Sequence, residues 1–131
     1  MSGVWIPTLA GIARMVPIRD DAIVSDVGAD WIVDAFTVPQ GRVLALDWAS
    51  LALLSGTAPS RIRITVIGTT AGGSAILVRQ PPPAGDVPIF LTSTVWIEED
   101  VIVRLQNEAG DGTTDMLWAF AGRLFDWQDV S

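Results

Sequence analysis

The sequence predicts an all-β protein, an antiparallel β-sandwich or jelly roll of about seven or eight strands with an N-terminal arm. Short runs rich in β-branched and aromatic residues recur at about ten-residue spacing, and Gly-, Pro- or Asp-containing turns separate them. In Arg61–Ile67, arginine and threonine alternate with isoleucine and valine, which is the two-residue period of a half-buried strand. A length of 131 residues suffices for one hydrophobic core.

The N-terminal segment is interpreted separately from the strands that follow. Residues 1–30 are assigned to an N-terminal arm or strap, and residues 31–131 to the sandwich domain. A short helix over residues 8–15 and an extended strap both fit this segment. Because a basic region is missing and Pro7, Gly11 and Arg14 interrupt the apolar run, we expect neither an export signal nor a membrane span. The arm's apolar side chains should lie on the domain or on a neighbouring subunit: Trp5, Ile6, Leu9, Ile12, Met15 and Val16.

The first strands of the domain follow in order. Residues 31–38 are rich in β-formers and end at Pro39-Gln40-Gly41, a turn signal. Residues 42–46 form the next strand, in a hairpin or a corner with the one before. Residues 47–54 alternate imperfectly, and Asp47 is a possible helix cap, but Trp48, Leu51 and Leu53 also suit a sheet. We favour a continued strand.

The second half of the chain contains shorter strands separated by polar turns. Arg61–Ile67 is followed by the Gly/Thr turn 68–74, and the proline-rich segment 81–86 is a stiff exposed loop. The acidic residues Glu98-Glu99-Asp100 form a turn, and residues 107–114 form a loop. The remaining strands are predicted at residues 75–79, 87–91, 94–97, 101–105 and 116–126.

The missing residue types narrow the function. The chain has no His, Cys, Tyr or Lys, and all eight basic residues are Arg. It therefore lacks a thiolate nucleophile, a Schiff-base amine and the commonest metal ligand. We predict that the protein is not an enzyme and has no catalytic, cofactor-binding or metal-binding residues. Two alternatives stay open: GC-rich codon usage as the reason for the absences, and glycoside cleavage by paired carboxylates.

Charge and hydropathy indicate the kind of partner. The net charge is −7, whereas a nucleic-acid or anionic-membrane surface attracts clustered basic residues, so neither is predicted as a partner. Half of the residues are hydrophobic and only 18% are charged, against about 25% in an average soluble protein. This apolar excess predicts that surface is buried in an oligomer or a larger assembly.

One acidic loop has the residue types of a calcium site. Asn107, Glu108, Asp111 and Asp115 surround two glycines and carry oxygen ligands. Their spacing does not match the helix–loop–helix calcium motif, and we favour a solvated hairpin turn.

Six tryptophans in a chain without tyrosine are the second unusual feature. Trp31, Trp48, Trp96 and Trp118 fall within predicted strands, where large aromatic side chains build sandwich cores. Trp5 and Trp127 lie near the termini and are candidates for contacts with another subunit. The alternative is a tryptophan exposed on a sheet or loop that stacks on a sugar.

Arg61 and Arg63 line one face of their predicted strand. Arginine is favoured in forked ion pairs, so these residues are candidates for bridges between subunits. A solvated face is the alternative. The complete set of interface candidates is Trp5, Ile6, Leu9, Arg61, Arg63 and Trp127.

The stretch from Phe36 to Leu46 carries a family resemblance. An apolar strand, the turn Val38-Pro39-Gln40-Gly41, the basic Arg42 and a second apolar strand resemble the opening of small bacteriophage virion structural proteins. The acidic turn at 98–100, the strand after it, a Gly/Asp/Thr loop and a C-terminal strand extend the similarity over about residues 30–126.

The resemblance implies a β-sandwich located in the virion. The expected role is a capsid decoration or cement protein, or a head-spike base, that assembles as a symmetric homo-oligomer, a trimer or higher. Its partners would be its own copies and other virion proteins such as the major capsid protein. The alternative is a tail or fibre component, or a carbohydrate-binding module that recognises a host surface glycan.

Overall fold

Two antiparallel β-sheets pack face to face in the computed structural model, which describes residues 5–28, 31–68, 74–83, 87–91 and 93–130. A short helix, α1, spans Leu9–Arg14, and a 3-10 turn spans Trp127–Asp129. Within the described residues there are nine strands: β1 (Val16–Val27), β2 (Ile32–Thr37), β3 (Arg42–Ser55), β4 (Arg61–Ile67), β5 (Ala75–Gln80), β6 (Ile89–Phe90), β7 (Val95–Ile97), β8 (Ile102–Glu108) and β9 (Thr114–Asp126).

The strand order is that of a jelly roll. One sheet has the order β1-β9-β3-β6, with β7 also paired to β3, and the other has the order β2-β8-β4-β5. Because β6 and β7 pair with successive parts of β3, they share one strand position. The result is the double-sheet architecture of eight strand positions that defines the jelly roll. The predicted fold class is confirmed.

Alternating side chains from both sheets form the core. In β4, Ile62, Ile64 and Val66 are fully buried. In β9, every second residue from Met116 to Leu124 faces inward and is buried. Burying such side chains stabilises the fold by about 1.5–3 kcal/mol for each large one.

Most of the predicted strands agree with the structure. The Pro39-Gln40-Gly41 turn is present, with Gly41 at a φ of 77°, and it joins strands of different sheets, so it is a corner. The favoured continuation through residues 47–54 is correct, because β3 is one strand of 14 residues. Several bounds differ by one or two residues, and two differ more. Strand β6 has only two residues, and β8 continues through Asn107 and Glu108 into the segment predicted as loop.

The N-terminal segment contains a strand where the sequence predicts an arm. Residues 16–27 form β1 and pair with β9 from Val16 opposite Leu124 to Val27 opposite Thr114. The adjacent charges Arg19, Asp20 and Asp21 interrupt the apolar alternation. They are tolerated because β1 is an edge strand, where charged side chains remain in water. Residues 9–14 form the helix, the first of the two conformations left open.

Strand β3 contains a β-bulge that changes which residues face the core. Leu46 lies opposite Gly122 and Trp48 lies opposite Ala121, so Asp47 is an additional residue in the register. Without it, Trp48 would follow Leu44 and Leu46 into the core. The bulge instead places Trp48 on the outer face, where it is 37% exposed. The expectation of a core position for Trp48 is therefore wrong, whereas Trp96 and Trp118 are buried as expected.

Candidate functional site

The first and the last described segments of the chain lie together on the outer face of the five-stranded sheet. We call residues 5–15 and 127–130 the terminal cap. The ring centroid of Trp5 lies 6.1 Å from that of Trp96 and 5.3 Å from that of Trp127, both in edge-to-face geometry. Beneath the cap is a second apolar cluster, formed by Val43, Ala45, Trp96 and Phe125 with Trp5, Met15 and Val130 packed against it.

Polar contacts hold the terminal cap in place. The Thr8 amide donates to the Asp129 carbonyl at 2.8 Å, and Pro7 forms a β-bridge with Val130. The Arg14 guanidinium pairs with the Asp129 carboxylate, whose side chain is only 5% exposed. The hydrogen bonds from Arg14 to Asp129 raise the pKa of Arg14 above its ordinary value. Together these contacts tie both chain ends to each other.

Gly11 brings α1 close to the C-terminal turn. A Cβ at this position would lie 2.7 Å from both the Cβ and the carbonyl oxygen of Asp129, closer than real contacts allow. The Thr8 hydroxyl accepts a hydrogen bond from the Gly11 amide at 2.9 Å and caps the helix. The helix therefore has one defined position on the domain.

The outward side of the terminal cap is apolar. Leu9 is 87% exposed and Ile6 is 70% exposed, and Ile12 and Trp127 are also about half exposed. Four interface candidates, Trp5, Ile6, Leu9 and Trp127, thus belong to this one structural unit. On its outward side the cap therefore presents an apolar surface to the solvent.

Arg61 and Arg63 lie on the other sheet, so the structure does not bring them together with the four candidates in the cap. The Arg61 Nη1 donates to the Ser60 carbonyl at 2.9 Å. The Arg63 Nε is buried and has no hydrogen-bond partner among the described residues. Within that part of the chain, neither guanidinium lies within 4.0 Å of a carboxylate. Both therefore remain candidates for contacts with another molecule.

Other arginines on this face are paired within the chain. Arg79 forms a forked pair with Glu108 at 2.9 and 3.0 Å, and Arg104 forms one with Asp34 at 2.6 and 3.2 Å. The hydrogen bonds from Arg79 lower the pKa of Glu108, and the charges of Arg63 and Arg61 lower it further. This face of the four-stranded sheet thus carries two salt bridges and two further arginines, Arg61 and Arg63.

The four residues of the acidic loop are engaged separately. The Asn107 Oδ1 accepts from the Trp31 amide at 2.7 Å, and Glu108 is paired with Arg79. Asp111 accepts from the hydroxyl and amide of Thr113, which lowers its pKa, and Asp115 accepts from Ser55 at 2.9 Å. No group of three or more acidic residues placed to hold a metal ion occurs in the described ranges.

A groove crosses the outer face of the five-stranded sheet beyond the terminal cap. It has a volume of about 540 Å³. We call it the outer groove. Trp48 and Phe90 form one wall with ring centroids 6.2 Å apart, and β1 forms the opposite wall with Arg19 and Asp21. The floor between them is made of small side chains, chiefly Ser50, Ala119 and Ala121.

The sequence contained a signal for this groove. From Trp118 to Ala121, large and small side chains alternate in β9, with Trp118 and Phe120 inward and Ala119 and Ala121 outward. Such alternation indicates an outer face with unusually little side-chain volume. The position of Trp48 carried no comparable signal, because the bulge at Asp47 depends on pairing with β9.

Comparison with known protein families, with curated proteins and with solved structures found no match. In the described part of the chain, no helix has the length and apolarity needed to cross a membrane.

Proposed function

We propose that this protein is a bacteriophage virion structural protein, of the capsid decoration, cement or head-spike type, that assembles as a symmetric homo-oligomer through its terminal cap. The observation that supports assembly best is the cap itself, an apolar surface fixed by the Arg14–Asp129 pair and by the close approach of Gly11. The jelly roll is a fold used by viral capsid proteins, which supports the virion role by analogy.

An ordered apolar surface favours association for two reasons. Covering Leu9, Ile12 and Trp127 removes apolar area from water, at about 25 cal/mol per Å². Because the polar contacts already hold the cap in one position, association orders few additional groups, and this reduces its entropic cost.

We propose a second copy of the chain as the partner of each of these two surfaces. The cap lies on the five-stranded sheet, and the arginines without carboxylate partners, Arg61 and Arg63, lie on the four-stranded sheet. A head-to-tail interface joins two different surfaces of neighbouring copies, and closure of such an interface produces a ring of three or more subunits.

Sedimentation of the purified chain tests the assembly. The wild-type protein should sediment as a trimer or larger, and Leu9→Asp should sediment as a monomer, since it places a charge in the apolar contact. Ile23→Asp is the matched control, because Ile23 is an exposed apolar residue on β1 that lies outside both the cap and the surface around Arg61 and Arg63. It should leave the oligomer intact. A wild-type protein that sediments as a monomer contradicts the assembly proposal.

The virion role needs its own measurement. Mass spectrometry of purified phage particles produced from a genome that carries this chain should detect its peptides at a copy number that matches the particle symmetry. Particles that lack the chain would contradict the virion role and leave the assembly result unaffected.

A further inference from the structure

The aromatic wall of the outer groove has surface available for a ligand. Trp48 is 37% exposed and Phe90 is 44% exposed, and both border the groove. The face of an aromatic ring carries negative charge density. The C–H groups on one side of a pyranose ring carry partial positive charge, so a sugar ring is attracted to such a face through its less polar side.

The floor of the groove permits a ligand to approach the sheet closely. Ser50 lies opposite Ala119, and Trp48 lies opposite Ala121, so small side chains occupy the centre of β3 and β9. Because these side chains are small, the groove has a depth that larger side chains would fill. The volume of about 540 Å³ lies within the range of about 300–1,000 Å³ that small-molecule sites have.

The strand register sets the width of the groove. Arg19 lies opposite Ala121, which lies opposite Trp48, so one row leads from a charged residue to an aromatic one. A second row leads from Asp21 through Ala119 and Ser50 to Phe90. With a strand spacing of about 4.8 Å, the rows span about 10 and about 14 Å. These widths accommodate one or two sugar rings.

The wall on β1 supplies two charged side chains, Arg19 and Asp21. Among the described residues, the side chains of Arg19 and Asp21 have no hydrogen-bond or ion-pair partner. A guanidinium donates and a carboxylate accepts, so together they match the hydroxyl groups of a sugar.

The same residues disfavour other ligands. An apolar partner would remove water from both charges without replacing their hydrogen bonds, which is unfavourable. A polyanionic ligand would meet a protein of net charge −7. A neutral, hydroxyl-rich molecule with an apolar side satisfies the aromatic wall and the charged wall together.

We propose that the outer groove is a saccharide-binding site, in which Trp48 and Phe90 stack against a neutral pyranose and Arg19 and Asp21 bind its hydroxyl groups. This binding activity is separate from the assembly function proposed above, because the groove residues do not belong to the terminal cap.

Saturation-transfer NMR with the full chain tests the site. The probes are the methyl glycosides of glucose, galactose, mannose and N-acetylglucosamine, together with maltose, lactose and chitobiose. At least one should receive saturation and bind with an affinity measurable by calorimetry. Trp48→Ala should weaken that binding about tenfold, the effect expected for loss of about 1.4 kcal/mol of stacking. Asp21→Asn should weaken it by a smaller factor.

Trp127→Ala is the matched control, because it removes an exposed tryptophan from the cap and should leave sugar binding unchanged. Phe90→Ala and Asp21→Asn alter exposed side chains and keep the test valid if Trp48→Ala disturbs the fold. Failure of every probe to bind, or binding that survives both aromatic substitutions, would overturn the proposal. If the protein binds no probe and Trp48→Ala forms a smaller oligomer than the wild type, the groove is a contact between subunits. That result would also overturn the saccharide proposal. Neither result depends on whether Leu9→Asp dissociates the oligomer, so the saccharide proposal and the assembly proposal are tested separately.

Discussion

The terminal cap and the outer groove lie on neighbouring parts of the same sheet face. At the cap the chain covers this face, whereas at the groove it leaves a cavity. At one end of β3 and β9, the side chains of Val43 and Phe125 are covered by the chain's own termini. Farther along the same strands, Ser50 and Ala119 form the floor of the outer groove beside Trp48 and Phe90. The difference shows that one part of a sheet face is buried and another part borders a groove according to which segments of the chain cover it.

A salt-bridge network lies between the two regions. The Asp47 carboxylate accepts from the Arg123 Nε at 2.7 Å, from the Arg123 Nη2 at 2.8 Å and from the Thr94 hydroxyl at 2.9 Å. The Arg123 guanidinium also lies 5.7 Å from the centre of the Phe125 ring. Because Asp47 is the bulged residue, this network stabilises the bulge that places Trp48 beside the groove.

The largest effect should come from removing the aromatic ring beneath the cap. Phe125→Ala deletes a side chain that is 1% exposed, so it should lower the free energy of unfolding by about 3–5 kcal/mol. Phe90→Ala, in the open groove, should lower it by less than about 1 kcal/mol. Urea denaturation of both variants measures the contrast. Equal losses would contradict the distinction between a covered and an open face.

A smaller effect should follow from displacing the cap itself. Gly11→Ala forces a Cβ against Asp129, and the resulting shift of α1 should lower the free energy of unfolding by about 1–3 kcal/mol. The same variant should increase the accessibility of Trp5 to a fluorescence quencher. Gly28→Ala is the control, since a Cβ there meets nothing within 4 Å. Unchanged quenching in Gly11→Ala would show that the close approach does not position the cap.

The smallest effect should come from the network between the regions. The hydrogen bonds from Arg123 hold the pKa of Asp47 below its ordinary value. The stabilisation is therefore complete above the unfolded-state pKa of about 3.9 and is lost as the pH falls through the lower folded-state value. Asp47→Asn should cost less than about 1 kcal/mol near neutral pH, because the pair is partly exposed and screened by solvent.

The pH dependence provides the check on that interpretation. The difference in unfolding free energy between wild type and Asp47→Asn should shrink below about pH 4, where the wild-type carboxyl group also becomes neutral. Asp21→Asn, which removes a carboxylate without an ion-pair partner in the described residues, should show little difference at any pH. A difference for Asp47→Asn that stays constant into acid would contradict the role of its charge.

The sandwich and most of its strands could be predicted from residue order alone. Alternation in β4 and the turn after Thr37 are local patterns, and local patterns can be read from residue order alone. The sequence also identified Trp5, Ile6, Leu9 and Trp127 as candidates for one role, although not their proximity. Strand β1 was missed because its charges are tolerated only at an edge, and edges are a property of the assembled sheet.

Which parts of the sheet faces are covered depends on tertiary contacts. The bulge at Asp47 arises from the pairing of β3 with β9, and it moves Trp48 from the expected core to the outer groove. The cap arises because residues at opposite ends of the chain, Arg14 and Asp129, meet across the sheet. Both features depend on contacts between residues far apart in sequence. A shift of one residue in strand register moves every side chain beyond it to the opposite face of the sheet.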